Sequence, residues 1–156
     1  MLVDAFNVLL VDDEGDFLET LLKRMKKRNV NVKGVKSGEE ALEFLKQNPV
    51  DVVVLDVKMP GIDGIQTLRE IKKTYPLIEA IMLTGHASLE VAIEGMELGA
   101  FDYLMKPIDI DDLLYKVQDA YEKKSIHGEK IKNMEKGVGL TIDSNNFGTT
   151  KGGGAY

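Results

Sequence analysis

Two aspartates, Asp12 and Asp13, follow the apolar run FNVLLV (Phe6–Val11), and Glu14 comes next. A second run, VDVVVL (Val50–Leu55), leads into Asp56 and breaks almost at once into Met-Pro-Gly. Two further runs close at Thr84 and just before Lys106 and Pro107. If these runs are parallel strands of one sheet, three carboxylates, a hydroxyl and an amine meet at one edge. Two carboxylates about 4 Å apart repel by roughly 4 kcal/mol at an effective dielectric near 20. Three gathered there cannot all stay ionised uncompensated, and one lysine is too little. The chain has no cysteine and no histidine pair at ligand spacing, so every donor is an oxygen. That set favours Mg²⁺, which takes one or two carboxylates, keeps waters and accepts phosphate oxygens. A carboxylate beside Mg²⁺ and a lysine is equipped to accept a phosphoryl group, a step in which positioning and charge neutralisation supply most of the catalysis.

The elements that would position these groups are legible as an alternation. Strand-like runs cover Phe6–Val11, Val30–Val35, Val50–Leu55, Ile78–Thr84 and Ala100–Met105. The first and third are nearly continuous apolar runs, as in strands covered on both faces. The second alternates, with Val30 and Val32 against Asn31 and Lys33, and reads as nearer an edge. Between them lie apolar stripes at helical spacing. They are Leu18, Leu21, Leu22 and Met25; Ala41, Leu42 and Leu45 behind a capping box of Ser37 and Glu40; and Ile65, Leu68 and Ile71. Ser88 is placed to cap a fourth helix with Leu89, Ala92, Ile93 and Met96 inward, ended by Gly99. Ile110, Leu113, Leu114, Val117 and Tyr121 form a fifth stripe. Five β-α repeats predict an α/β fold, a parallel sheet with right-handed crossovers and helices on both faces. Ligands of such sheets bind at the carboxyl ends of the strands.

The 156 residues suggest one domain, with 44% hydrophobic and 29% charged residues as in soluble globular proteins. A formal net charge of −6 argues against non-specific nucleic-acid binding. No apolar stretch approaches a membrane span, and the first residues lack a basic region and a cleavage site, so a cytoplasmic location is expected. Strong periodicity stops near Lys124. Residues 1–124 are read as the domain and 125–156 as an extension, weakly helical through Ile131 and Met134 and then flexible, with no output domain recognised.

The ordered set VLLVDDE, DVVVLDVKMPGIDG, IMLTGHA and DYLMKP resembles the receiver domain of two-component response regulators, of the chemotaxis-regulator kind, over roughly residues 4 to 124. The resemblance implies a flavodoxin-like, doubly wound, five-stranded parallel sheet of order 2-1-3-4-5 with five helices. It implies a signalling switch, not an enzyme in the ordinary sense, in which Asp56 accepts a phosphoryl group from a sensor histidine kinase or phosphotransfer protein. Asp12 and Asp13, with Asp56 and the backbone carbonyl of Lys58, match the Mg²⁺ ligands. Thr84 and Lys106 match the hydroxyl and the amine that pair with the phosphoryl group, and Tyr103 the aromatic switch position. Lys58 and His86 match the positions that tune hydrolysis, and the bond to Pro107 is expected to be cis. Readout is expected through the face of helix four, strand five and helix five, toward an unidentified target protein or a phosphorylation-dependent homodimer. No nucleic acid or membrane is an expected partner.

Each residue taken singly has a plainer reading. Asp13 and Asp16 suit a helix start, Asp56 a turn before Pro-Gly, Thr84 a strand end, Lys106 the surface and Tyr103 ordinary packing. It is their joint occurrence that favours the switch. Two alternatives stand beside it. One is a receiver-like scaffold that needs no phosphate. The other is a Mg²⁺-dependent phosphohydrolase, disfavoured because Lys58 stands where such enzymes carry a second aspartate.

Overall fold

A computed structural model of the chain describes residues 5–59, 61–85 and 89–138. Five strands, β1 (Asn7–Val11), β2 (Asn31–Val35), β3 (Val52–Asp56), β4 (Glu79–Thr84) and β5 (Asp102–Met105), alternate with five helices. The helices are α1 (Gly15–Lys27), α2 (Gly38–Gln47), α3 (Gly64–Thr74), α4 (Leu89–Glu97) and α5 (Ile110–Val138). All strand pairs are parallel, in the order β2-β1-β3-β4-β5. The flavodoxin-like arrangement implied by the family resemblance is therefore the observed one.

The apolar runs are continuous where the sheet is covered twice. β3 and β4 are buried along their whole length. Leu9, Val11, Val53, Leu55, Ala80 and Met82 face α2, α3 and α4. Val8, Leu10, Val52, Val54, Ile81 and Leu83 face the opposite way, toward Leu18, Leu21 and Met25 of α1 and Leu113 and Val117 of α5. β2 is an edge strand with only Val32 buried, as its alternation predicts. Gly34 in that strand makes room for α1, since a Cβ there would meet Leu18 and Leu22 side-chain atoms at 3.0–3.3 Å.

Helix ends follow the local chemistry. Ser37 Oγ accepts from the Glu40 amide at 3.0 Å, while Glu40 Oε1 accepts from the amide of Lys36, one residue before the cap. Asp63 caps α3 through the Gln66 amide at 2.9 Å. Gly99 follows α4 at φ +106°, where a Cβ would be strained. α4 departs from expectation in its facing. Ala92 is fully buried and Gly95 is buried, whereas Ile93 and Met96, expected inward, are 51% and 38% exposed. The cause is the close approach of α4 to the sheet. A Cβ on Gly95 would already be in van der Waals contact with Met82 at 3.4 Å, which leaves room there for a methyl group and nothing larger, and Ile93 and Met96 are turned out. Ser88, the expected cap of α4, lies outside the described residues.

The chain divides into two units, 1–124 and 125–156. In the second, the described residues are the last turns of α5, where Ile126, Ile131 and Met134 are exposed. The tail expected to be flexible lies outside the described residues from 139 onward. Among the described residues no helix is long and apolar enough to cross a membrane.

Candidate functional site

Parallel strands deliver their carboxyl ends to one edge. Asp56 is the last residue of β3 and pairs in register with Leu83, which places Thr84 one residue beyond it on β4. Asp12 follows β1 directly, its amide donating to the Val35 carbonyl at 3.1 Å. Lys106 follows β5, its amide donating to the Thr84 carbonyl at 2.8 Å. The edge is thus laced by backbone hydrogen bonds before any side chain contributes.

Asp12, Asp13 and Asp56 each present a carboxylate oxygen within 4.8 Å of the others, two of the residues buried and Asp13 exposed. Asp12 and Asp56 are only 2% and 6% exposed. The Lys106 amine lies 3.1 Å from Asp12 Oδ2, 3.2 Å from Glu14 Oε1 and 3.5 Å from Asp56 Oδ1. It also stands 4.4 Å from the centre of the Phe17 ring. Burial raises the Asp12 carboxyl above the ordinary value, against the pull of the Glu14 amide and Lys106. Asp56 is pushed up to about 6 by burial and then by the charge of Asp12, with Lys106 opposing. For Lys106 burial acts downward, but the hydrogen bond to Asp12 and the charges of Asp56 and Asp12 outweigh it and hold the amine above its ordinary value. Two buried acids that resist ionisation beside an exposed third are an oxygen donor set short of positive charge. A hard divalent cation fits this chemistry.

The loop after β3 is held from two sides. Gly64, first residue of α3, donates its amide to the Val57 carbonyl at 3.0 Å. A Cβ at Gly64 would fall 2.2 Å from the Asp56 carbonyl oxygen, so only glycine lets α3 start directly against the strand end. Glu39 of α2 reaches across to accept from the Ile62 amide at 3.2 Å, beside Gly61 at φ +77°.

The structure brings together Asp12, Asp13, Asp56 and Lys106 as the spacing requires. Thr84 is buried at the same edge, but its hydroxyl donates to the Gly85 carbonyl at 3.1 Å. Tyr103 is half-buried and packs against the core on the α2–α4 face. The Lys58 side chain is exposed, and His86 lies outside the described residues. The Lys106–Pro107 bond is cis. Glu14, Glu39 and Gly64 were not singled out from sequence. Gly64 has a visible signal in the spacing Pro-Gly-Ile-Asp-Gly after a strand-ending acid, whereas the reach of Glu14 and Glu39 depends on tertiary contacts.

Known proteins agree with this geometry. The model of the response regulator receiver domain family matches residues 8–118. The transcriptional regulatory protein ZraR of Escherichia coli is 38% identical over 128 residues, 82% of this chain and 28% of that protein. A putative response regulator NtrX-like protein of Rickettsia felis is 34% identical over 141 residues, 89% of this chain and 30% of the relative. The chain therefore spans less than a third of the length of these curated relatives. Among solved structures, a response regulator receiver domain protein from Clostridium thermocellum superposes with a TM-score of 0.74 at 37% identity, covering 78% of this chain and 98% of that one. These relatives are of the ZraR and NtrX kind, and nothing in them specifically supports the chemotaxis-regulator likeness expected from sequence.

Proposed function

The chain belongs to the response regulator receiver domain family, and from that premise we propose that it is a phosphorylation-activated switch whose phosphoacceptor is Asp56. The donor is the phosphohistidine of a sensor kinase or phosphotransfer protein. An Asp56 oxygen forms a bond to phosphorus while the P–N bond breaks, and the electron pair leaves on the imidazole nitrogen. The observation that carries this reading is the meeting of Asp12, Asp13 and Asp56 within 4.8 Å, with Lys106 lodged among them.

Asp12, Asp13, Asp56 and the Lys58 carbonyl would hold Mg²⁺, which when bound supplies charge neutralisation for the phosphoryl oxygens. Lys106 stands where its amine can pair with the new phosphoryl group, which adds about −1.5 to −2 charge and three acceptor oxygens. Thr84 would turn its hydroxyl from the Gly85 carbonyl toward those oxygens, and Tyr103 would follow into the vacated space. Lys58 and His86 would flank the phosphoryl group and set its lifetime. Inverting a two-state population from 1:99 to 99:1 needs about 5.5 kcal/mol. A few charge-assisted hydrogen bonds of about 1.5–3 kcal/mol each supply that much. The exposed apolar side chains Ile93 and Met96 on α4, Met105 on β5 and Tyr115 on α5 support readout through the face of α4, β5 and α5, toward a target protein or a second copy.

Incubation with acetyl phosphate and Mg²⁺ tests the reading. The expected result is one hydroxylamine-labile phosphoryl group per chain, absent from Asp56→Asn. Turnover of many equivalents would indicate a phosphohydrolase, and no reaction would indicate a scaffold.

A further inference from the structure

The Lys106 ammonium has three N–H donors. One is spent on Asp12 at 3.1 Å and one on Glu14 at 3.2 Å, while the nearest Asp56 oxygen stands off at 3.5 Å. Glu14 occupies the N-cap position of α1, yet its side chain makes no capping hydrogen bond there. Glutamate is a poor N-cap, so little is lost at the helix end when this carboxylate leaves it. It crosses instead to the loop after β5, to a partner 92 positions away in the chain. The Phe17 ring, on the first turn of the same helix, lies 4.4 Å from the same amine. α1 thus grips Lys106 at two points apart from the three-aspartate cluster.

On the reading that Asp56 is the phosphoacceptor, we propose that Glu14 is a positioning residue that draws the Lys106 amine away from Asp56 in the resting protein, so that phosphoryl capture requires Lys106 to let it go. With acetyl phosphate as donor, an Asp56 oxygen forms a bond to phosphorus and the P–O bond to the acyl group breaks. The electron pair departs on acetate, and no proton is transferred. A Lys106 committed to both Asp12 and Glu14 is a donor short for the phosphoryl oxygens during that step. The Glu14 side chain is 65% exposed, so its hold is that of a surface ion pair, weak and screened by salt.

The test compares the full chain with Glu14→Gln and Asp16→Asn in acetyl phosphate and Mg²⁺, following phosphoryl uptake at low and high salt. Gln keeps the size and an acceptor oxygen but not the charge. Asp16 is an exposed acid on the same first helical turn, with no ion pair to Lys106 among the described residues. Glu14→Gln is expected to take up the phosphoryl group about two- to fivefold faster at low salt, the range a surface ion pair allows. The advantage should fade by about 1 M salt, where screening acts within roughly 3 Å. Asp16→Asn is expected to match the unmodified chain. Uptake by Glu14→Gln that is no faster, or an equal acceleration in Asp16→Asn, overturns the proposal, the second by assigning the effect to net charge. An unmodified chain that takes up no phosphoryl group overturns the phosphoacceptor reading itself, a result distinct from either of these.

Discussion

Asp56 is poised between two needs, burial at the end of β3 and ionisation for chemistry. Its carboxyl is raised from 3.8 to about 6, chiefly by burial and then by Asp12. The folded chain therefore holds this proton more tightly than the unfolded chain does. Stability contributed by the protonated form is present below pH 3.8 and is lost as pH rises through about 6. At about 1.4 kcal/mol per pH unit the deficit at neutral pH approaches 3 kcal/mol. Without divalent cations, Asp56→Asn should accordingly be more stable than the unmodified chain by about 1–3 kcal/mol at pH 7 and show no advantage near pH 3.5, as read from urea unfolding. Gly64 is the opposite case, a residue whose value is its lack of a side chain. Gly64→Ala would drive a Cβ to within 2.2 Å of the Asp56 carbonyl oxygen. It should lower stability by about 1–3 kcal/mol and slow phosphoryl uptake, measured on the same preparations. Most of the pocket was legible because each acid and the lysine sit at the end of an apolar run, and parallel strands align such ends. Glu14 was not legible, because its part comes from a contact between residues 92 apart that no local pattern encodes.

At the scale of elements, β1 and β3 announced themselves as central strands by continuous apolarity, and β2 as an edge by alternation. α4 misled because its apolar residues outnumber the positions that face the sheet. Counting Ile93 and Met96 as core followed size, whereas among the described residues of α4 Ala92 and Gly95 are the buried ones, with Val91 packed partly against the core. Gly95 then has two consequences. It weakens the helix by about 0.8–1 kcal/mol relative to alanine. The site it leaves is nonetheless roomy enough, at 3.4 Å from Met82 and 3.6 Å from Ile65, for a methyl group in ordinary contact. Gly95→Ala should therefore stabilise the protein by about 0.5–1 kcal/mol in thermal unfolding. If α4 moves during signalling, the same change should reduce the shift of its amide resonances on adding beryllofluoride and Mg²⁺. A shift that Gly95→Ala leaves unaltered would show that this glycine does not govern the movement, and no shift in either chain would remove α4 from the readout.

Across residues 1–124, charge is placed at both ends of the sheet. At the start of β4, opposite the acid pocket, Glu79 is buried with Lys72 at 3.9 Å and Lys123 at 3.8 Å, and its Oε1 lacks a hydrogen-bond partner. Burial lowers the Lys72 amine from its ordinary value, with Glu79 opposing. Nearby, Asp51 accepts from Lys124 at 2.8 Å and from the Asn7 amide at 2.8 Å. Glu79→Ala leaves Lys72 hydrogen-bonded to the Pro76 and Ile78 carbonyls but takes the acid from between Lys72 and Lys123, and should cost about 1 kcal/mol of stability through their repulsion. Its rate of phosphoryl uptake should match the unmodified chain, which would separate holding the sheet together from operating its far end. β5 completes the arrangement. It has four residues, none of them fully buried, and a single neighbouring strand. Its amides should trade protons with deuterated water far sooner than those of β3 and β4. The lysine of the pocket thus hangs from one of the two open margins of the sheet, and an event at the acids is passed to backbone held by a single neighbouring strand.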